Sequence, residues 1–137
     1  MNVIGLDGKT YRFSLTGFIP SGTSERERSS LHKRARALLK EMFPCRAILE
    51  EVFLPGCGLY GDFYLPAEKL MIETHGEQHY KFIPHFHGSS LEFKRSQRRD
   101  KEKIEWCELN NITLIEFPFN EDDSQWKTRI IQYRQQP

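Results

Sequence analysis

Gly61-Asp62-Phe63-Tyr64-Leu65-Pro66-Ala67-Glu68-Lys69-Leu70-Met71-Ile72-Glu73-Thr74-His75-Gly76 reads as two strands folded back on a short turn. With the turn centred on Ala67-Glu68, the cross-strand partners are Leu65 with Leu70, Phe63 with Ile72, and Asp62 with Glu73. Direct partners project to one face, and so do residues two apart along a strand. Asp62, Glu73 and His75 therefore share one side of a sheet, and Phe63, Leu65, Leu70 and Ile72 bury the other. Like charges directly opposite on a sheet repel, so the two acids call for a cation or a raised pKa. A hard divalent ion such as Mg²⁺ binds carboxylate oxygens, keeps several waters and acts on phosphodiesters; Mn²⁺ is a possible substitute. His75, two residues after Glu73, and His79, just past Gly76, stand where they can contact a phosphate or move a proton.

Outward from this hairpin the chain alternates strands with helices. Asp7-Gly8 between strand-like runs marks a small β-hairpin within residues 1–20, and the main body follows as one unit, 21–137. Ser24-Glu25-Arg26-Glu27 fits a capping box, and Leu31, Ala35, Leu38, Leu39 and Met42 then recur at helical spacing until Pro44, predicting a helix from Ser24 to Met42. Residues 47–54 read as a strand. After a loop over 77–90, a second long helix spans Phe93 to Leu109, with Asp100 on the same stripe as Phe93, Ile104 and Cys107. An acid on an inward stripe needs a partner. Ile112 to Phe117 reads as a buried strand, and a last short helix runs from about Asp123 to Arg134 with Trp126 and Ile130 packed down. The expected class is α/β, with a mixed central sheet flanked by helices and a small N-terminal β-hairpin.

At 137 residues the chain is the size of one ordinary domain. It has no apolar run long enough for a membrane helix, and no signal-peptide pattern opens it. Cys45, Cys57 and Cys107 are odd in number, widely spaced and without a CxxC pair, which fits reduced thiols in a cytoplasm. The net charge is only +1, yet the windows Arg26–Lys40 and Lys94–Lys103 hold twelve of the 20 lysines and arginines. Clustered cations on a nearly neutral protein suit a polyanion such as double-stranded DNA. Arg28, Lys33, Arg36, Lys94, Arg95, Arg98, Arg99 and Lys103 are the candidate phosphate contacts. His85-x-His87 has ligand-like spacing but no cysteine beside it, so structural zinc is not expected.

At these residues the chain resembles the PD-(D/E)xK nucleases: Asp62, ten intervening residues, then Glu73-x-His75, with histidine where that superfamily usually has lysine. Leu54-Pro55-Gly56, Asp62-Phe63, Thr74-His75-Gly76 and His79 resemble the very-short-patch repair (Vsr) endonucleases. Asp62-Phe63-Tyr64-Leu65-Pro66, Ile72-Glu73, Gly76-Glu77-Gln78-His79-Tyr80, Arg99-Asp100-x-x-Lys103 and Asn110-x-Ile112-x-Leu114-Ile115 resemble the related EDxHD homing endonucleases. The resemblance covers about Ser30 to Phe117 and implies a restriction-endonuclease-like fold. It implies Asp62 as main metal ligand with the Thr74 carbonyl as a second, His75 and His79 as the histidines that activate water or contact the scissile phosphate, and Asp100 as the acid that orients one of them. These families also use a glutamate on the first helix; aligning the Leu38-Leu39 pair puts His32 at that place, while Glu25 and Glu27 lie further upstream, and His32 is favoured because Glu27 already serves the capping box. The Vsr zinc site has no counterpart.

The sequence thus points to a Mg²⁺-dependent DNA endonuclease, of nicking or homing type, from a phage or mobile element, acting as monomer or homodimer in the cytoplasm without a small-molecule cofactor. Two other readings stand beside it. One is a nuclease-fold module that binds DNA or a protein partner and has weak or no catalysis; the other is RNA as substrate.

Overall fold

The computed structural model describes residues 1–15, 19–20, 29–81, 83 and 88–135, with backbone alone at 19, 20 and 78. Strands β1 (Asn2–Ile4) and β2 (Thr10–Arg12) pair antiparallel around Asp7-Gly8, where Gly8 takes φ 80°, as such a turn requires. The main sheet has five strands in chain order: β3 (Ile19–Pro20), β4 (Leu49–Leu54), β5 (Leu59–Leu65), β6 (Leu70–His75) and β7 (Thr113–Pro118). All neighbours are antiparallel except β6 and β7. A parallel pair needs a long crossover, and helix α2 (Ser90–Leu109) supplies it. Helices α1 (Ser30–Met42) and α3 (Asp123–Arg134) complete an α/β architecture: a mixed sheet flanked by helices, with an N-terminal hairpin.

The expected register holds. Phe63 faces Ile72, and Leu65 faces Leu70, across a one-turn 3-10 helix at Pro66–Glu68 that ends on Lys69 in the left-handed region. Both sheet faces are covered. Phe63, Leu65, Leu70 and Ile72 pack with Ala35, Leu38 and Leu39 of α1 and with Trp126 and Ile130 of α3. Tyr64 and Met71 pack on the other side with Trp106 and Cys107 of α2 and with Val3 and Phe13 from the hairpin region.

The hairpin region is therefore part of the core through Val3 and Phe13, and Ile19–Pro20 pair with β4 at the edge of the main sheet. Gly56 joins the two parts: its carbonyl accepts from the Leu6 N–H at 3.0 Å, and a Cβ built on it would lie 2.4 Å from Gly5 Cα. Only a glycine pair allows that approach, and Gly56 is also at φ 77°.

Boundaries differ from the sequence expectation: the second long helix begins at Ser90 rather than Phe93, and the strand expected from residue 47 begins at Leu49. The first helix begins at Ser30, not Ser24, because Ser29 is extended at φ −62° and ψ 158° and its Oγ accepts from the His32 N–H. Ser29 is the N-cap, and the expected Ser24–Glu27 box lies outside the described residues. So do Arg28, His85 and His87. At the other end Asp122 and Gln125 form a reciprocal capping box for α3.

Candidate functional site

The β5–β6 ladder runs from Leu65–Leu70 to Phe63–Ile72 and then side chains replace it. The Asp62 N–H donates to Glu73 Oε2 at 3.0 Å, and Asp62 Oδ2 accepts from the Thr74 N–H at 2.9 Å and its hydroxyl at 3.0 Å. Each carboxylate is thus held by the opposite strand. On the far side of β5, Glu51 sits at φ 52°, an uncommon conformation for a residue with a Cβ. The pleat slips there, so Leu49, Val52 and Leu54 all enter the same core cluster. Backbone irregularities flank Asp62 on both sides, as is common where strands are bent to aim functional groups.

Helix α2 crosses this point with Asp100 and Lys103, three residues apart and on one face. Lys103 Nζ lies 2.6 Å from Glu73 Oε1. Glu73 is 2% exposed, and Oε1 is the buried side-chain oxygen that, among the described residues, no donor meets in hydrogen-bond geometry. The ammonium is close but poorly directed. Burial first, and the charge of Asp62 second, push the Glu73 carboxyl up to about 8 against the pull of Lys103. Burial alone would lower Lys103, yet Glu73, Asp62 and Asp100 hold it above the usual lysine range. With Glu73 protonated, Asp62 and Lys103 balance each other; a divalent ion that displaced the Glu73 proton would meet two carboxylates against one ammonium. Asp62 and Glu73, with an undirected buried oxygen between them, fit an oxygen-seeking cation.

Next to this pair stand His75, His79 and Asp100. One ligand atom from each lies within 4.8 Å of the others. The two imidazoles are stacked, with centroids 4.3 Å apart and planes 2° from parallel. Parallel rings aim their lone pairs along parallel planes, so the arrangement suits proton handling better than shared ligation of one ion. His79 Nδ1 is 2.8 Å from Asp100 Oδ2, and His75 Nδ1 is 3.6 Å from Glu116 Oε2 on β7. Burial, then the neighbouring His79, lowers His75 below its ordinary 6.5, despite Glu116, Asp100 and Asp62. Burial would raise Asp100, but its bond to His79 and the charges of His79, His75 and Lys103 keep it low.

Asp62, Glu73, Thr74, His75, His79 and Asp100 thus come together from β5, β6, the turn after it and α2. His32 stands on the α1 side of the sheet. It is 6% exposed, its ring stacks on Phe63 at 4.4 Å, and its Nε2 lies 2.6 Å from Glu50 Oε1, while Arg36 grips both oxygens of Glu50 at 2.9 Å. Two of the expected phosphate contacts are accordingly turned inward: Arg36 onto Glu50 and Lys103 onto Glu73. Lys33, Lys94, Arg95, Arg98 and Arg99 are exposed. The sequence reading missed the site roles of Lys103, Glu50 and Glu116. The i, i+3 spacing of Asp100 and Lys103 was a usable signal for the first; nothing local marked the other two.

The chain is 50% identical over 62 residues to Uncharacterized protein 307L of Invertebrate iridescent virus 6, covering 45% of this chain and 32% of that protein. It is 31% identical over 90 residues to Uncharacterized protein 033L of Invertebrate iridescent virus 3, covering 55% of this chain and 46% of the relative. To Uncharacterized protein 094L of Frog virus 3 (isolate Goorha) it is 35% identical over 77 residues, 56% of this chain and 50% of the relative. The chain spans a third to a half of the length of the curated relatives it matches. No family model matches it. No solved structure matches it.

Proposed function

We propose that this protein is a Mg²⁺-dependent endonuclease of the PD-(D/E)xK type, hydrolysing phosphodiester bonds in double-stranded DNA as a nicking or homing-type enzyme of a virus or mobile element. The observation that carries the reading is the pair Asp62 and Glu73: two carboxyls from opposite strands at one buried point, with one ammonium, Lys103, 2.6 Å from Glu73 Oε1 and not in hydrogen-bond geometry with it. Two ionised carboxylates so close are costly with a single cation beside them. Asp62 and Glu73 would hold the ion, with the Thr74 carbonyl as a further oxygen, and Mn²⁺ could replace Mg²⁺.

A bound Mg²⁺ would supply Lewis acidity at the phosphodiester and offset the carboxylate charge. The chain's own groups divide the remaining work. His75, lowered by burial, is neutral at pH 7 and able to accept a proton from water. Asp100 fixes the tautomer and orientation of His79, whose ring covers His75. Lys103 stays charged and offsets the Glu73 carboxylate.

No helix among the described residues is long and apolar enough to cross a membrane. The relatives come from viruses of invertebrates and frogs. We place the activity in the cytoplasm of an infected cell, where the free thiols of Cys45, Cys57 and Cys107 are at home.

The test is nicking of supercoiled plasmid with Mg²⁺ or with EDTA. Wild-type protein should convert plasmid only with the metal, and Asp62→Ala should lose at least a hundredfold, on the order expected when a metal site is emptied. Equal conversion by wild type and Asp62→Ala would remove Asp62 from the chemistry. Salt-sensitive DNA binding without cleavage would favour the binding-module reading.

A further inference from the structure

Beside His75 the surface opens into a cleft of about 450 Å³ that Tyr80 and Phe119 line together with Glu116 and Asn120. We propose that this cleft seats an unpaired nucleobase next to the phosphate handled by His75, and that it prefers bases carrying an exocyclic amino group. The inference rests on the nuclease reading of the adjoining site and adds a base-recognition subsite to it.

Tyr80 and Phe119 are 45% and 40% exposed, and their rings touch at a centroid distance of 6.0 Å. The rings are tilted 40° to each other, so each half-exposed aromatic offers its own face, and every nucleobase has a π face to lay on one of them. The surface is fixed to the catalytic group. Phe119 N–H donates to the His75 carbonyl at 2.8 Å, and the Tyr80 ring lies 6.0 Å from the His75 ring. A base stacked there belongs to a nucleotide whose phosphate reaches the histidines.

Charge argues for a base and against a phosphate in the cleft. Its two lining cations are already engaged: Lys81 with Glu77, and Arg129 with both oxygens of Glu121 at 2.7 Å. What remains is the Glu116 carboxylate, 3.6 Å from His75 Nδ1, and the Asn120 amide. A carboxylate repels phosphate and accepts from an amino group, which adenine, cytosine and guanine carry and thymine lacks. Tyr80, its phenol pushed up to about 12 by burial and by Glu116, stays neutral and adds no charge to a stacked base.

The experiment is fluorescence anisotropy in EDTA with three labelled duplexes: fully paired, with one unpaired adenine, and with one unpaired thymine. The protein should bind the unpaired adenine about tenfold more tightly than the paired duplex, the size expected for one stacked base, with thymine clearly weaker than adenine. Phe119→Ala and Tyr80→Ala should each erase most of the preference, Tyr80→Phe should keep it, and Asp62→Ala should leave it unchanged. Equal affinity for bulged and paired duplexes, or a preference that survives the Tyr80→Ala/Phe119→Ala double variant, overturns the subsite. Equal binding of unpaired adenine and thymine overturns the amino-group preference. A bulge preference in a protein that cuts no plasmid would sink the nuclease reading while leaving the subsite standing.

Discussion

Glu73 is the residue on which the site turns, and its protonation gives two expected outcomes. Its carboxyl titrates near 4.5 in an unfolded chain and near 8 in the folded one. Between those values the folded protein holds a proton that the unfolded chain has released, so metal-free stability falls as pH rises through that window. Glu73→Gln removes the dependence. In EDTA the variant should melt above wild type at pH 8 and lose that advantage near pH 4, measured by thermal unfolding at both pH values. Added Mg²⁺ should raise the wild-type melting temperature at pH 8 and leave Glu73→Gln nearly unmoved, because the ion then takes the place of the proton. His75 gives a third outcome. With its pKa held below 6.5, the acid limb of the pH–rate profile should fall below 6.5; His79→Gln, which takes away the neighbour that helps to lower His75, should move that limb upward. An acid limb that stays in place would take His75 out of proton transfer.

At the scale of elements, the site depends on how β4, β5, β6 and α2 are pinned. Gly56 fastens the β4–β5 turn to the hairpin by a backbone approach that no side chain permits. Gly56→Ala adds a Cβ at positive φ and against Gly5, and should cost roughly 2 kcal/mol of unfolding free energy in urea melts. Ser29→Ala removes the cap of α1 and should cost about 1 kcal/mol. Leu39, fully buried between α1 and the sheet, sets the upper end: Leu39→Ala should cost about 2–5 kcal/mol. These losses should appear in stability before they appear in DNA binding, since none of the three residues faces the carboxyl group.

Over the whole molecule, a net charge of +1 hides opposed parts, acids at the centre and exposed cations on α1 and α2. Arg98→Ala/Arg99→Ala should lower the slope of log K against log salt by about 2 and weaken all duplexes alike, as lost phosphate contacts do. Lys103→Met should change that slope little, because Lys103 spends its charge on Glu73. Much of this was legible in the chain. Period-two alternation around Pro66-Ala67-Glu68 set the β5–β6 register and brought Asp62 beside Glu73, because a hairpin register is a local matter of turn and pleat. Helix spacing placed Asp100 inward for the same local reason. The start of α1 differs from the Ser24 expectation, because the cap is set by the extended backbone of Ser29 and its bond to the His32 N–H, which no Ser-x-x-Glu pattern marks. Which cation faces Glu73, which acids face His32 and His75, and that β7 lies parallel beside β6 depend on elements distant in sequence, such as Glu116 against His75 and Arg36 against Glu50. The sequence by itself determined the strand pair, its two acids and the α/β class. Tertiary packing alone decided that Lys103 and Arg36 turn inward and that Tyr80 meets Phe119 beside the histidines: Arg36 meets Glu50 only when α1 packs on β4, and the other contacts arise only when the crossover lays α2 and β7 against β6.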